Sequence, residues 1–209
     1  MRKLLVCVPM MTLLLLTGCG GGVGEAEREA LSLRAEYLEM TSCTAQVEIT
    51  GDYGQRVVRY TADLETEEEH TALHLTAPET VAGLTAHLNG MDTALEIDGV
   101  TVETGTLDGE RLTPLNAVPA LLEAIRSGYI TACSYSEDGC LRVDCGDPEL
   151  GPGRGRETSI WFDSAHDLVR GELSQDGVLA VTCGFLDFHR ELEIERNAGQ
   201  TNDAYLGGD

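Results

Sequence analysis

Residues 41–77 read TSCTAQVEITGDYGQRVVRYTADLETEEEHTALHLTA, and their apolar residues fall at every second place in three successive runs. In the first, Cys43, Ala45, Val47 and Ile49 alternate with Thr44, Gln46, Glu48 and Thr50; in the second, Val58, Tyr60, Ala62 and Leu64; in the third, Thr71, Leu73, Leu75 and Ala77. Period-two alternation marks strands with one buried and one wet face. Gly51-Asp52-Tyr53-Gly54 and the acidic run ending at Glu69 supply the turns. An antiparallel meander follows, and its apolar face has to be covered.

Outward from this core the pattern continues. Leu84, Ala86 and Leu88 predict a further strand before Asn89-Gly90, a hairpin signal; Leu95 and Ile97 lead through Asp98-Gly99 to Val100 and Val102. Upstream, Glu25 to Met40 predicts a helix with Ala30, Leu31, Ala35, Tyr37 and Leu38 on its apolar side. Downstream, Thr113-Pro114 reads as a helix start and Pro119 as the start of a second, adjoining helix ending at Gly128. Two hairpins follow. Three-residue loops, Glu137–Gly139 and Gln175–Gly177, keep the apolar residues on one face. They set Tyr135 opposite Leu141, and Leu173 opposite Leu179. Trp161 lies on the strand between the hairpins, Thr158–Asp163.

The N-terminus says where the chain resides. Arg2 and Lys3 precede an apolar run from Leu4 to Leu16, closed by Leu16-Thr17-Gly18-Cys19, the three parts of a secretory signal. An apolar stretch of about 13 residues spans roughly 20 Å as a helix, short of a bilayer's ~30 Å core. The last four residues resemble a bacterial lipobox, which implies residues 1–18 as signal, Cys19 as the lipidated first residue and 19–24 as a glycine-rich tether; an ordinary cleaved signal or an uncleaved anchor is the alternative. Residues 25–196 form one domain on this reading, and the polar segment 197–209 a disordered tail. The expected location is the extracytoplasmic face of a cell membrane, held there by lipid.

Charge narrows the partners. Removing Arg2 and Lys3 leaves 12 basic against 36 acidic residues, a net charge near −24. Such a surface repels phosphate, which argues against nucleic acid. Five mature cysteines remain, Cys43, Cys133, Cys140, Cys145 and Cys183, none in CxxC spacing. Their packing as small hydrophobes and their pairing in some disulfide both stay open. The five histidines show no HExxH or other ligand spacing, and neither GxSxG nor a P-loop occurs. No catalytic residue, metal site or cofactor is indicated, and the expectation is a protein that is not an enzyme.

Three segments carry a family resemblance: Ala77-Pro78-Glu79-Thr80-Val81-Ala82-Gly83-Leu84-Thr85-Ala86, then Leu95-Glu96-Ile97-Asp98-Gly99-Val100-Thr101-Val102-Glu103, and Ile160-Trp161-Phe162-Asp163. With the lipobox and the order of elements, the chain resembles the LolA-like lipoprotein carriers, nearest to the Gram-positive extracytoplasmic lipoproteins that include GerS-like germination proteins. The resemblance implies an α+β fold, a curved antiparallel sheet forming an unclosed β-barrel with a helical lid. It also implies a lipid or a lipid-modified partner in an apolar cavity, with Val47, Ile49, Leu73, Leu75, Leu84, Leu95, Ile97, Leu179, Val181 and Phe185 as lining candidates. The alternatives are that these side chains simply fill a core, and that the protein serves an envelope or spore-germination partner through its outer surface. The turn Ser164–Leu168 lacks the proline expected there.

Overall fold

The computed structural model describes residues 24–68, 70–89, 92–106 and 112–193. The expected signal peptide, the lipidation site Cys19, nearly all of the tether, the Asn89-Gly90 turn at its glycine and the polar tail lie outside them.

The first helix, α1 (Glu25–Glu39), leads into β1 (Met40–Asp52), β2 (Val57–Glu67), β3 (His70–Ala77), β4 (Thr85–Asn89), β5 (Asp92–Ile97) and β6 (Val100–Thr106). Helix α2 (Ala117–Ser127) interrupts the strands, and β7 (Ile130–Tyr135), β8 (Leu141–Cys145), β9 (Arg156–Phe162), β10 (Leu168–Gln175) and β11 (Val178–Leu192) complete them. All eleven strands form one antiparallel sheet in the order β6-β5-β4-β3-β2-β1-β11-β10-β9-β8-β7. The edges β6 and β7 do not meet, so the sheet is an unclosed barrel with helices on one face. This is the architecture that the LolA-like resemblance implies.

Register aligns side chains of one face across many strands. One row runs Ile49, Cys183, Gly171, Ile160, Val143 and Cys133. Another runs Ala45, Leu64, Leu73, Ala86, Leu95 and Val102. Both belong to the inner face, on which the helices lie. Helix α2 packs its stripe of Val118, Leu121, Leu122 and Ile125 onto β8–β11, and α1 packs onto β7 and β8. Gly171 permits the close approach: a Cβ there would lie 2.3 Å from Leu121 Cδ1 and 2.5 Å from Cδ2.

The helices are pinned to each other through arginine. Arg34 of α1 donates to the Ile125 and Gly128 carbonyls at 2.7 and 2.6 Å, and Arg126 of α2 donates to the Tyr37 carbonyl at 3.0 Å. These bonds satisfy carbonyls that a helix C-terminus leaves open, and the guanidinium fork serves two at once. Buried Ala30, Leu33 and Tyr37 seat α1. The three phenylalanines of the chain gather nearby: Phe162 and Phe188 lie 5.4 and 6.4 Å from the Tyr37 ring, and Phe185 lies 6.1 Å from Phe188.

Four details differ from the sequence reading. Leu31 and Leu38 are exposed, because the buried stripe of α1 follows Ala30, Leu33 and Tyr37 instead. Thr113-Pro114 does not start a helix, since residues 114–116 form a turn and α2 begins at Ala117, and Pro119 does not begin a second one. It is the third residue of α2, within the first turn, where a missing N–H costs no hydrogen bond. The turn at Ser164–Leu168 needs no proline, since the Asp163 carboxylate accepts the N–H groups of Ala165 and Asp167 at 2.8 and 3.0 Å.

The last difference concerns register. The first hairpin pairs Tyr135 with Leu141 and Cys133 with Val143, as expected. In the second, Gln175 pairs with Val178, so the loop is the two residues Asp176-Gly177, both at positive φ. That backbone suits the twist of a tight hairpin and outweighs the apolar alternation. An irregularity then sets Ser174 opposite Leu179 and Leu173 opposite Val181, which restores the inward phase further along.

Candidate functional site

The apolar inner face is not covered evenly. Where α1 and α2 lie, over β7–β11, the row Ile49, Cys183, Ile160 and Val143 is buried. On the other half the row Ala45, Leu64, Leu73 and Ala86 is buried too, then Leu95 is half-buried, and Val102 is 56 % exposed. Its neighbours in the same phase are also open: Ile97 is 48 % and Val100 61 % exposed. Ile97 pairs with Val100 and Leu95 with Val102 across the two-residue Asp98-Gly99 turn, whose residues have φ of 51° and 76°. Val81 and Leu84 add half-buried apolar surface that packs against the core. The result is a continuous apolar surface that begins in the core and emerges beside the β6 edge.

Of the ten expected lining residues, Val47, Ile49, Leu73, Leu75, Val181 and Phe185 are buried and belong to one core. Leu84 and Leu95 stand at its margin, and Ile97 lies on the open patch. Leu179 is 43 % exposed, and the shifted register of its hairpin is the reason. Val100 and Val102 were missing from the expected lining, although the alternation continuing through Asp98-Gly99 carried the signal for both.

One polar element accompanies the apolar face. Thr66, Thr71 and Thr93 are buried, in a row with Leu88 that runs Thr66, Thr71, Leu88 and Thr93. The Thr66 and Thr71 hydroxyls lie 3.4 Å apart. Thr93 Oγ1 is buried with no hydrogen-bond partner among the described residues. A buried hydroxyl without a partner is uncommon and costs free energy, so its presence calls for an explanation.

The cysteines are thiols, none of the five described being bonded to another. Cys43, Cys145 and Cys183 are buried in the core. Burial alone pushes the Cys183 thiol up to about 12, and it is the main cause of raising Cys145 to about 11. Such thiols are poor nucleophiles. On the opposite, outer face, Trp161 lies between Arg142 and Arg170, whose guanidinium carbons are 5.1 and 4.9 Å from its ring centre. Among the described residues no group of three or more histidine, cysteine, aspartate or glutamate side chains is placed to hold a metal ion. No described helix is long and apolar enough to cross a membrane.

Neither a protein-family model nor a relative of known description matches the sequence. Among solved structures, a LolA superfamily protein from Nitrosomonas europaea is similar at 14 % identity, covering 79 % of this chain and 96 % of its own, with a TM-score of 0.42. A chain in the complex of the CwlD amidase with the GerS lipoprotein from Clostridioides difficile is similar at 13 % identity over 79 % of this chain and 95 % of that one, TM-score 0.45. Lipoprotein LppX from Mycobacterium tuberculosis is similar at 12 % identity over 81 % and 96 %, TM-score 0.37. These are distant likenesses, and the site is defined by its own geometry.

Proposed function

We propose that this protein is an extracytoplasmic lipoprotein, anchored through Cys19, that binds a lipid or a lipid-modified partner on its apolar inner face without catalysis. The observation that carries the reading is the exposed apolar surface of Ile97, Val100 and Val102, continuous with the buried rows behind it. Exposed apolar surface joined to a core marks a place for an apolar occupant. Each buried methylene contributes about 0.8 kcal/mol, so a long acyl chain gains its affinity from burial, without any polar code. An acidic body repels an anionic bilayer, which keeps the domain off the membrane while the lipid holds its N-terminus there.

The test is native mass spectrometry of the mature domain purified from cells, with uptake of a fluorescent fatty acid. The wild-type chain is expected to carry lipid or take up the probe. V100E and V102E, at exposed positions that the core does not depend on, are expected to lose it. An unliganded mass with no probe uptake sinks the proposal. A protein partner still retained by V102E would then favour action through the outer surface, as an envelope or germination partner. Replacing Cys19 with serine is expected to release the chain from the membrane fraction.

A further inference from the structure

Strand pairing brings together two histidines that the sequence separates. His70 opens β3, and His87 is central in β4; both project from the outer face, opposite in phase to the buried Thr71, Ala86 and Leu88. Their rings are stacked at 22° with centroids 5.5 Å apart, and His87 Nδ1 lies 3.4 Å from His70 Nε2. On its other side, His87 Nε2 lies 3.0 Å from Glu96 Oε2 of β5. A carboxylate only accepts, so in neutral His87 the Nε2–H donates to Glu96 and the lone pair is on Nδ1, on the side of His70. The recess in front of the pair has a volume of about 350 Å³, and Asn89, Asp92 and Glu103 also line it.

We propose that His70 Nε2 and His87 Nδ1 form a two-imidazole site for a divalent transition-metal ion of the zinc and copper class. Three observations converge. Two nitrogens bound tetrahedrally to zinc at ~2.0–2.1 Å lie roughly 3.4 Å from each other, which is the spacing found here. Glu96 holds the second nitrogen of His87, the carboxylate–histidine arrangement that fixes tautomer and ring orientation in metal sites. Asp92 and Glu103 line the same recess and add negative charge beside it. Imidazole selects zinc, copper and nickel over magnesium and calcium. Two protein nitrogens leave the remaining coordination positions to water or to a partner's group, since no third described side chain is placed to complete the set. The site lies on the face opposite to the apolar one and is independent of lipid binding.

Isothermal titration of untagged mature protein with Zn²⁺, with ¹H–¹⁵N spectra of the imidazoles, tests this. One equivalent is expected to bind, shifting the His70 and His87 resonances and leaving His189 unmoved. H70A and H87A are each expected to weaken binding at least tenfold, and E96Q about tenfold, as loss of an outer-shell carboxylate does. H74A serves as the control: His74 bonds Thr85 Oγ1 at 3.0 Å on the same face and is expected to leave the affinity unchanged. Absence of saturable binding at 0.1 mM Zn²⁺ (on the order of a weak surface site) overturns the proposal. So does binding that survives H87A, or that follows His166 or His189 instead.

Discussion

Replacing Gly171 by alanine tests how the helical layer is seated. The added Cβ would lie 2.3 Å from Leu121 Cδ1, 2.5 Å from Cδ2 and 2.9 Å from Cγ, all far inside contact distance. Leu121 is fully buried, so its side chain has no free volume into which to turn. Either α2 lifts from β10 or Leu121 leaves its rotamer; overpacking of this kind costs about 1–3 kcal/mol. Relief of the glycine penalty in a strand offsets less than about 1 kcal/mol of that. For a domain of this size each kcal/mol lowers Tm by about 2–4 °C. Urea unfolding followed by far-UV circular dichroism is the assay, with a lower midpoint and an unchanged m-value as the expected result. L121A alone is expected to cost about 2.5–5 kcal/mol as a cavity variant. In that background G171A is expected to cost nothing, because the clashing methyls are gone. Two results would refute the reasoning: a G171A chain as stable as wild type, or additive costs in the double variant.

Two further outcomes follow from the thiols and the turns. At pH 8 in the native state, Cys183 is expected to resist iodoacetamide and Cys140, at a hairpin, to react first. Burial raises both, but Cys183 to about 12 in the core, and peptide mapping by mass spectrometry gives the order. Asp176 accepts the Gly155 N–H at 2.9 Å, which lowers its carboxyl below the usual range. A depressed folded value stabilises above the ordinary pKa near 4 and is lost as pH falls through the folded one. D176N keeps a residue that tolerates positive φ, so the Tm gap to wild type is expected to be widest at neutral pH and to close below about pH 4; a gap independent of pH would count against this account.

Much of the architecture is legible in the chain. Period-two alternation places every strand, because burial on one face of a sheet selects apolar residues at alternate positions. The extent of α1 and the end of α2 at Gly128 follow from local signals of the same kind. The first closing hairpin is legible too, since its best apolar register and its turn agree. In the second they conflict. Asp176-Gly177 imposes a two-residue turn, the strand absorbs the mismatch in an irregularity, and Leu179 moves to the surface.

What alternation encodes is which face a side chain occupies, not what covers that face. Val181 and Val102 carry the same signal, yet one is buried and the other open. The difference is that α1 and α2 seat on β7–β11, while Val102 lies at the β6 edge. In the same way, no spacing rule joins His70 to His87, because their approach depends on the β3–β4 register and on Glu96 arriving from β5. Local pattern determined the elements and their inward faces, since it is set by backbone geometry residue by residue. The open apolar edge and the imidazole pair were decided only by tertiary structure, since both depend on which distant segments meet.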